Sequence, residues 1–170
     1  MTNCKSFQTG AALIVGLVML LVMTVLGVAA MQTNLLEEKM AGNYRDQNLA
    51  FQAAEAALRD AEADITPTSG RIISGLTGFA ADCTNGLCDA TAGFSDVWKD
   101  ATKGPNGVTL GTYTGAGSLA LVACQPRYWI EGYQAWPAGA ASWKTQYRIT
   151  AVGCGGNANT QVVLQEVFAP

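Results

Sequence analysis

The stretch AALIVGLVMLLVMTVLGVAAM, residues 11–31, decides how the rest of the chain is read. None of its side chains carries charge, and no charge appears anywhere between Lys5 and Glu37. Only Gly16, Thr24 and Gly27 interrupt the apolar run. As a helix it spans about 31 Å at ~1.5 Å per residue, enough to cross a hydrocarbon core of ~30 Å. A helix on the surface of a soluble domain keeps one polar face, and this one has none, so the segment is expected to reside in a membrane.

The run also accounts for the composition of the whole chain. Of 170 residues 49% are hydrophobic and only 14% charged, well below the usual share of charge. Ten Lys and Arg stand against 13 Asp and Glu, a net charge of −3, which argues against a nucleic-acid partner. There is no His, so the commonest general base and zinc ligand are missing. No glycine-rich phosphate loop, activated nucleophile or convincing carboxylate pair is visible. Neither an enzyme nor a cofactor is expected.

Downstream, no Pro or turn cluster appears between Gln32 and Ile65. Leu36, Met40, Tyr44, Phe51, Ala54, Leu58, Ala61 and Ile65 recur at steps of three or four, with Gln47 as a polar exception. Glu55 and Arg59 add an i,i+4 ion pair on the wet side. The spacing therefore predicts one helix over 11–65, apolar over 11–31 and amphipathic over 32–65. The cluster Thr66-Pro67-Thr68-Ser69-Gly70 ends it. The apolar spacing is not a sustained heptad, so a coiled coil is not expected.

Residues 1–10 are a short polar leader ending at Gly10, directly before the apolar run. A secretory signal cut near Val28-Ala29-Ala30 and a plain N-terminal anchor both compete as readings. Cys4 precedes the run, which does not fit a lipoprotein. The leader resembles that of type IV pilins and pseudopilins, which a membrane peptidase cuts after a glycine. The resemblance grows specific in LLEEKMAGNYRD (35–46) and LAFQAAEAALR (49–59), which resemble the N-terminal region of PilX-type pilus assembly proteins. Those are minor pilins, similar to the K-type pseudopilins of type II secretion. Looser likeness extends to PRYWIEGY (126–133) and to residues 147–153 and 162–168.

The resemblance implies cleavage after Gly10, methylation of the new Ala11 amine and a pilin-like α+β fold: a long N-terminal helix packed on an antiparallel sheet. It implies the inner membrane, prepilin peptidase, other minor pilins, the major pilin and a tip adhesin as partners, with no nucleic acid. The position where major pilins usually carry Glu, to pair with a neighbour's amine, holds Val15 here. A subunit at the tip has no subunit above it to neutralise, and an unpaired carboxylate in an apolar core is costly. Val15 is therefore read as a marker of a tip position, against the plainer reading that it only improves membrane insertion.

Residues 66–170 hold 15 of the 19 Gly, all four Trp and all five Pro. Strand-prone runs lie at 108–113, 119–124, 127–133, 145–152 and 161–168, the last two joined as a hairpin through Gly153-Cys154-Gly155-Gly156-Asn157. Beyond the membrane segment Cys83, Cys88, Cys124 and Cys154 read as disulfides in an oxidising compartment. Of three connectivities, Cys83–Cys88 with Cys124–Cys154 is favoured, because the first closes a tight loop and the second ties strands. A Cys4 zinc site has poor spacing. Asp82, Asn85 and Asp89 offer oxygens to calcium, but polar turn residues are the commoner reason for them, and metal is not expected. Trp98, Trp129, Trp136 and Trp143 suit either a small core or a binding surface.

The positive charges flanking the run do not decide its orientation, since Lys5 faces Lys39 and Arg45 across it. Placing residues 32–170 in the periplasm rests on the disulfides and the resemblance. The N-terminus of the mature protein tests this reading directly. Mass spectrometry is expected to find a start at methylated Ala11; a start at Met31 would mark a secreted binding domain, and an uncut Met1 a simple anchor.

Overall fold

An uninterrupted supply of Ala, Leu, Met, Glu and Gln, with no proline, carries one helix, α1, through Thr9–Ile65. The computed structural model describes residues 9–66 and 70–170, and leaves out the side chains of Thr9, Gln32, Thr33 and Leu35. Residues 1–8 of the leader, with Cys4 and Lys5, and the centre of the expected terminating turn, residues 67–69, lie outside the described residues. The chain divides into two units, residues 1–43 and 44–170.

In the first unit α1 is long and apolar enough to cross a membrane. Its large apolar side chains between Leu13 and Met31 are 47–72% exposed on all sides. Thr24, the one hydroxyl in the apolar run, donates to the Leu21 carbonyl at 2.8 Å, so the helix satisfies its own polar group, as hydrocarbon requires.

In the second unit the remainder of α1 lies on a five-stranded sheet. The strands are β1 (Leu87–Asp89), β2 (Val108–Thr109), β3 (Arg127–Ala135), β4 (Lys144–Cys154) and β5 (Gln161–Phe168). The order is β1-β3-β4-β5, with β2 also on β3. The β3–β4 and β4–β5 pairs are antiparallel hairpins, with Ile130 opposite Ile149 and Ile149 opposite Glu166. Ala57, Leu58, Ala61 and Ile65 of α1 bury against Tyr128, Ile130, Tyr147, Ile149 and Ala151. The opposite face of the sheet carries a second cluster of Cys83, Cys88, Val97 and Trp129, closed by Trp98 and Val152.

The expected apolar stripe is only partly the buried one. Ala54, Leu58, Ala61 and Ile65 are buried, but Leu36, Met40, Tyr44 and Phe51 are exposed, and Ala50, Ala53 and Ala57 take the inner positions. The cause is the closeness of the sheet. A Cβ on Gly153 would collide with the Ala50 carbonyl and the Ala54 amide, so only small side chains fit where β4 crosses Ala50–Ala54.

Two expected strands are also corrected. The run 108–113 shortens to Val108–Thr109, because Gly111 turns the chain at φ +79°. The run 119–124 forms no strand: Gln125 closes it into a loop by bonding both the amide and carbonyl of Leu119, and Leu121 stands exposed at φ +68°. Expected at 127–133 and 145–152, β3 and β4 are longer by up to two residues at an end. Unexpected was β1, which pairs parallel with β3, so the sheet is antiparallel except at that edge.

Replacing Gly153 by Ala pushes a methyl group into the α1 backbone. We expect a loss of about 1–3 kcal/mol, in the range of overpacked cores, read as a lowered urea midpoint.

Candidate assembly surface

The residues implicated in processing lie where α1 begins. Gly10 and Ala11 are exposed within the helix, and Val15 is 58% exposed. A Cβ at Gly10 would meet nothing within 4 Å, so packing does not require glycine there.

Carboxylates on α1 fasten the second unit together. Asp46 Oδ1 accepts the Gly156 amide at 2.5 Å and the Asn157 amide at 3.3 Å, both in the β4–β5 turn. Hydrogen bonding, first from Thr160 and then from these amides, holds the Asp46 carboxyl below its ordinary range against a smaller opposing effect of burial. Asp60 is buried and accepts from the Gly111 amide at 2.8 Å and from the Thr114 hydroxyl. Asp64, fully buried, pairs with Arg71 at 2.6 Å and accepts the Tyr128 hydroxyl at 3.0 Å. Burial, reinforced by the Asp64 charge, pushes the Tyr128 hydroxyl far above the usual tyrosine range. Arg71 also stacks 3.8 Å above the Tyr113 ring and donates to the Asn85 carbonyl.

The outer face of the sheet has a fastener of its own. Arg148 on β4 forms two 2.7 Å bonds with Glu131 on β3 and donates to the Ser95 carbonyl, while its guanidinium lies 4.1 Å above Phe94. At the other sheet edge, Glu166 of β5 faces Glu62 of α1. Burial first, then the charge and hydrogen bonding of Glu62, push the Glu166 carboxyl above its ordinary value.

Cys83–Cys88 and Cys124–Cys154 form disulfides, with Cα–Cα distances of 4.0 and 5.6 Å. The first closes the loop before β1; the second ties the loop after residue 119 to the end of β4. The calcium candidates are not assembled around one point. Asp82 binds Thr84, Asp89 binds the Thr91 amide, and Asn85 turns the backbone at φ +54°. Among the described residues no group of three His, Cys, Asp or Glu is placed to hold a metal. Nor do the four tryptophans share a surface. Trp129 is buried and donates to the Lys103 carbonyl, Trp98 is half-buried beside it, and Trp136 and Trp143 form an exposed edge-to-face pair after β3.

The aspartate fasteners were missed from sequence. The signal that could have found them is Asp60 and Asp64, four apart and interleaved with alanines on what becomes the buried face.

A charge-free helical stretch of membrane length leading into a disulfide-bonded α+β unit defines a membrane-anchored, pilin-like protein. The PilX N-terminal family model matches residues 9–59 and the type IV pilus assembly protein PilX C-terminal model matches residues 78–170. The chain therefore belongs to the PilX family of type IV pilus assembly proteins and is a minor pilin, a structural component that works with other pilus proteins. No curated protein and no solved structure matches it.

Two variants test the energetics of this unit. Asp64→Ala leaves Arg71 and Tyr128 without their acceptor and is expected to cost about 3–5 kcal/mol in a denaturation experiment, as for a broken buried pair. Glu166→Gln works in the other direction. Because the folded value of Glu166 is raised, its contribution to stability is present below about pH 4.5, the ordinary value, and is lost as pH rises through the folded value. Thermal melts should show the Glu166→Gln variant more stable than the parent near neutral pH, with the gain vanishing in acid; equal melts at neutral pH would contradict the account.

Proposed function

We propose that this minor pilin primes type IV pilus assembly and sits at or near the pilus tip with other minor pilins, supporting twitching motility and adhesion. The observation that carries the reading is the all-round exposed, charge-free first part of α1, with Val15 where the major subunits of such fibres usually hold a glutamate. Val15 brings no carboxylate to neutralise the amine of a subunit above, which suits a chain with nothing above it.

In this reading residues 1–10 are removed by prepilin peptidase and the Ala11 amine is methylated. The mature protein waits in the inner membrane, held by residues 11–31, with residues 32–170 on the periplasmic side. On extraction the same apolar surface exchanges lipid for the helices of neighbouring pilins, a packing-driven association. The disulfide-bonded β-rich region, residues 66–170, contacts other minor pilins, the major pilin and a tip adhesin.

Gold labelling of an epitope-tagged chain on sheared pili is expected to mark fibre ends, and deletion to abolish piliation and twitching while exoprotein secretion persists. Labels spread evenly along the shaft would refute the tip position. Lost secretion with normal pili would assign the chain to a type II secretion system instead.

A further inference from the structure

The edge of the sheet at β5 is open. Among the described residues β5 pairs with β4 alone, through eight consecutive register positions without a bulge. Long open edges in natural proteins are usually blunted by lysine, proline or a bulge, and Gln161–Phe168 contains none of these. Its one charged residue, Glu166, points inward, because its ladder partner Ile149 lies in the core facing α1.

The helix runs alongside this strand in the same direction. Asp46 meets Gly156 and Asn157 just before β5, and Glu62 meets Glu166 near its end. Between them, beside the start of β5, opens a groove of about 530 Å³ lined by Tyr44, Gln47, Phe51, Asn159, Gln161 and Val162, without a charged group. At the far end two carboxyl groups face each other. Glu166 Oε1 is buried, and it is the one such side-chain atom among the described residues with no hydrogen-bond partner. A buried acceptor left unpaired is rare in native proteins, and a donor brought by a partner would satisfy it.

We propose that the free edge of β5, with the Glu62–Glu166 pair at one end and the Tyr44–Phe51 groove at the other, receives an extended segment of another pilus subunit that carries a lysine or arginine. The inference rests on the assembly reading above, from which it takes its partner. An added strand supplies main-chain donors and acceptors to the edge, and the neutral groove takes its alternate side chains. The cation is what the geometry lacks: it gives Glu166 Oε1 its donor and separates two like charges. A helix in the slot would leave the edge amides unpaired. A second copy of β5 would bring another glutamate and no cation, since QVVLQEVF has neither Lys nor Arg.

The test uses the full chain in detergent micelles and synthetic peptides of about ten residues, long enough to pair along a strand of this size. The peptides tile the other pilins of the same pilus, each basic one paired with a copy in which Lys and Arg become Ala. We expect a basic peptide to bind by fluorescence anisotropy and to protect the amides of Gln161–Phe168 from hydrogen exchange. Glu166→Gln and Glu62→Gln should each weaken it about tenfold, as for loss of one charge-assisted hydrogen bond. Because Glu166→Gln is expected to stabilise the free chain, weaker binding by it cannot be put down to unfolding. The proposal fails if no basic peptide protects β5, if the alanine copies bind equally well, or if the glutamine variants bind as tightly as the parent. Stronger self-association of Glu166→Gln with unchanged peptide binding would overturn it too, leaving Glu166 as an inward guard of the edge. Failure here with piliation still lost on deletion leaves the assembly reading standing; normal piliation on deletion removes that reading first.

Discussion

The second unit depends on how closely β4 approaches α1. Gly153 lies against the backbone of Ala50–Ala54, and Ala50, Ala53, Ala54, Ala57 and Ala61 form the helical face that permits it. Short side chains give up apolar area, but they let helix and sheet come within reach of short polar groups. That proximity is what allows Asp46, Asp60 and Asp64 to bond loop amides, a hydroxyl and an arginine directly. A leucine-rich face would hold the sheet farther away and leave those carboxylates without partners, an arrangement a buried charge does not survive.

Two of the chain's ion pairs sit where they fix geometry. Asp64–Arg71 anchors the chain just after α1, and Glu131–Arg148 clamps β3 to β4 on the other face. Each arginine reaches beyond its carboxylate, Arg71 to Tyr113 and the Asn85 carbonyl, Arg148 to Phe94 and the Ser95 carbonyl. These contacts organise long irregular segments that regular hydrogen-bond ladders do not reach. The two disulfides act on the same segments, at 83–88 and between Cys124 and Cys154. A domain this small, with a modest core, gains most from cross-links at the places where secondary structure is sparse.

What could be read in advance follows the range of the interactions concerned. The helix was legible because its signals are local: an unbroken run of helix formers and no proline before Ile65. The β4–β5 hairpin was legible because its turn residues and strand-prone runs are adjacent. The loop at 119–124 was not, because Gln125 captures Leu119 by a side-chain contact that strand propensity does not register. The parallel β1 depends on a partner more than 40 positions away, and three residues are too few to signal themselves.

By itself the sequence determined that this protein has a membrane-length apolar helix, that the helix continues past the charge-free run, and that it carries the marks of a pilus assembly subunit. These properties belong to one continuous segment and need no knowledge of what packs on it. Tertiary structure alone decided which face of α1 is buried, which aspartates become fasteners, and that Glu166 faces Glu62 with an oxygen unpaired. The reason is that a periodic pattern fixes a stripe only where apolar residues dominate one side. From residue 44 onward, alanine, aspartate and bulky apolar side chains share the helix, and the approaching strand selects the side that is small enough to fit.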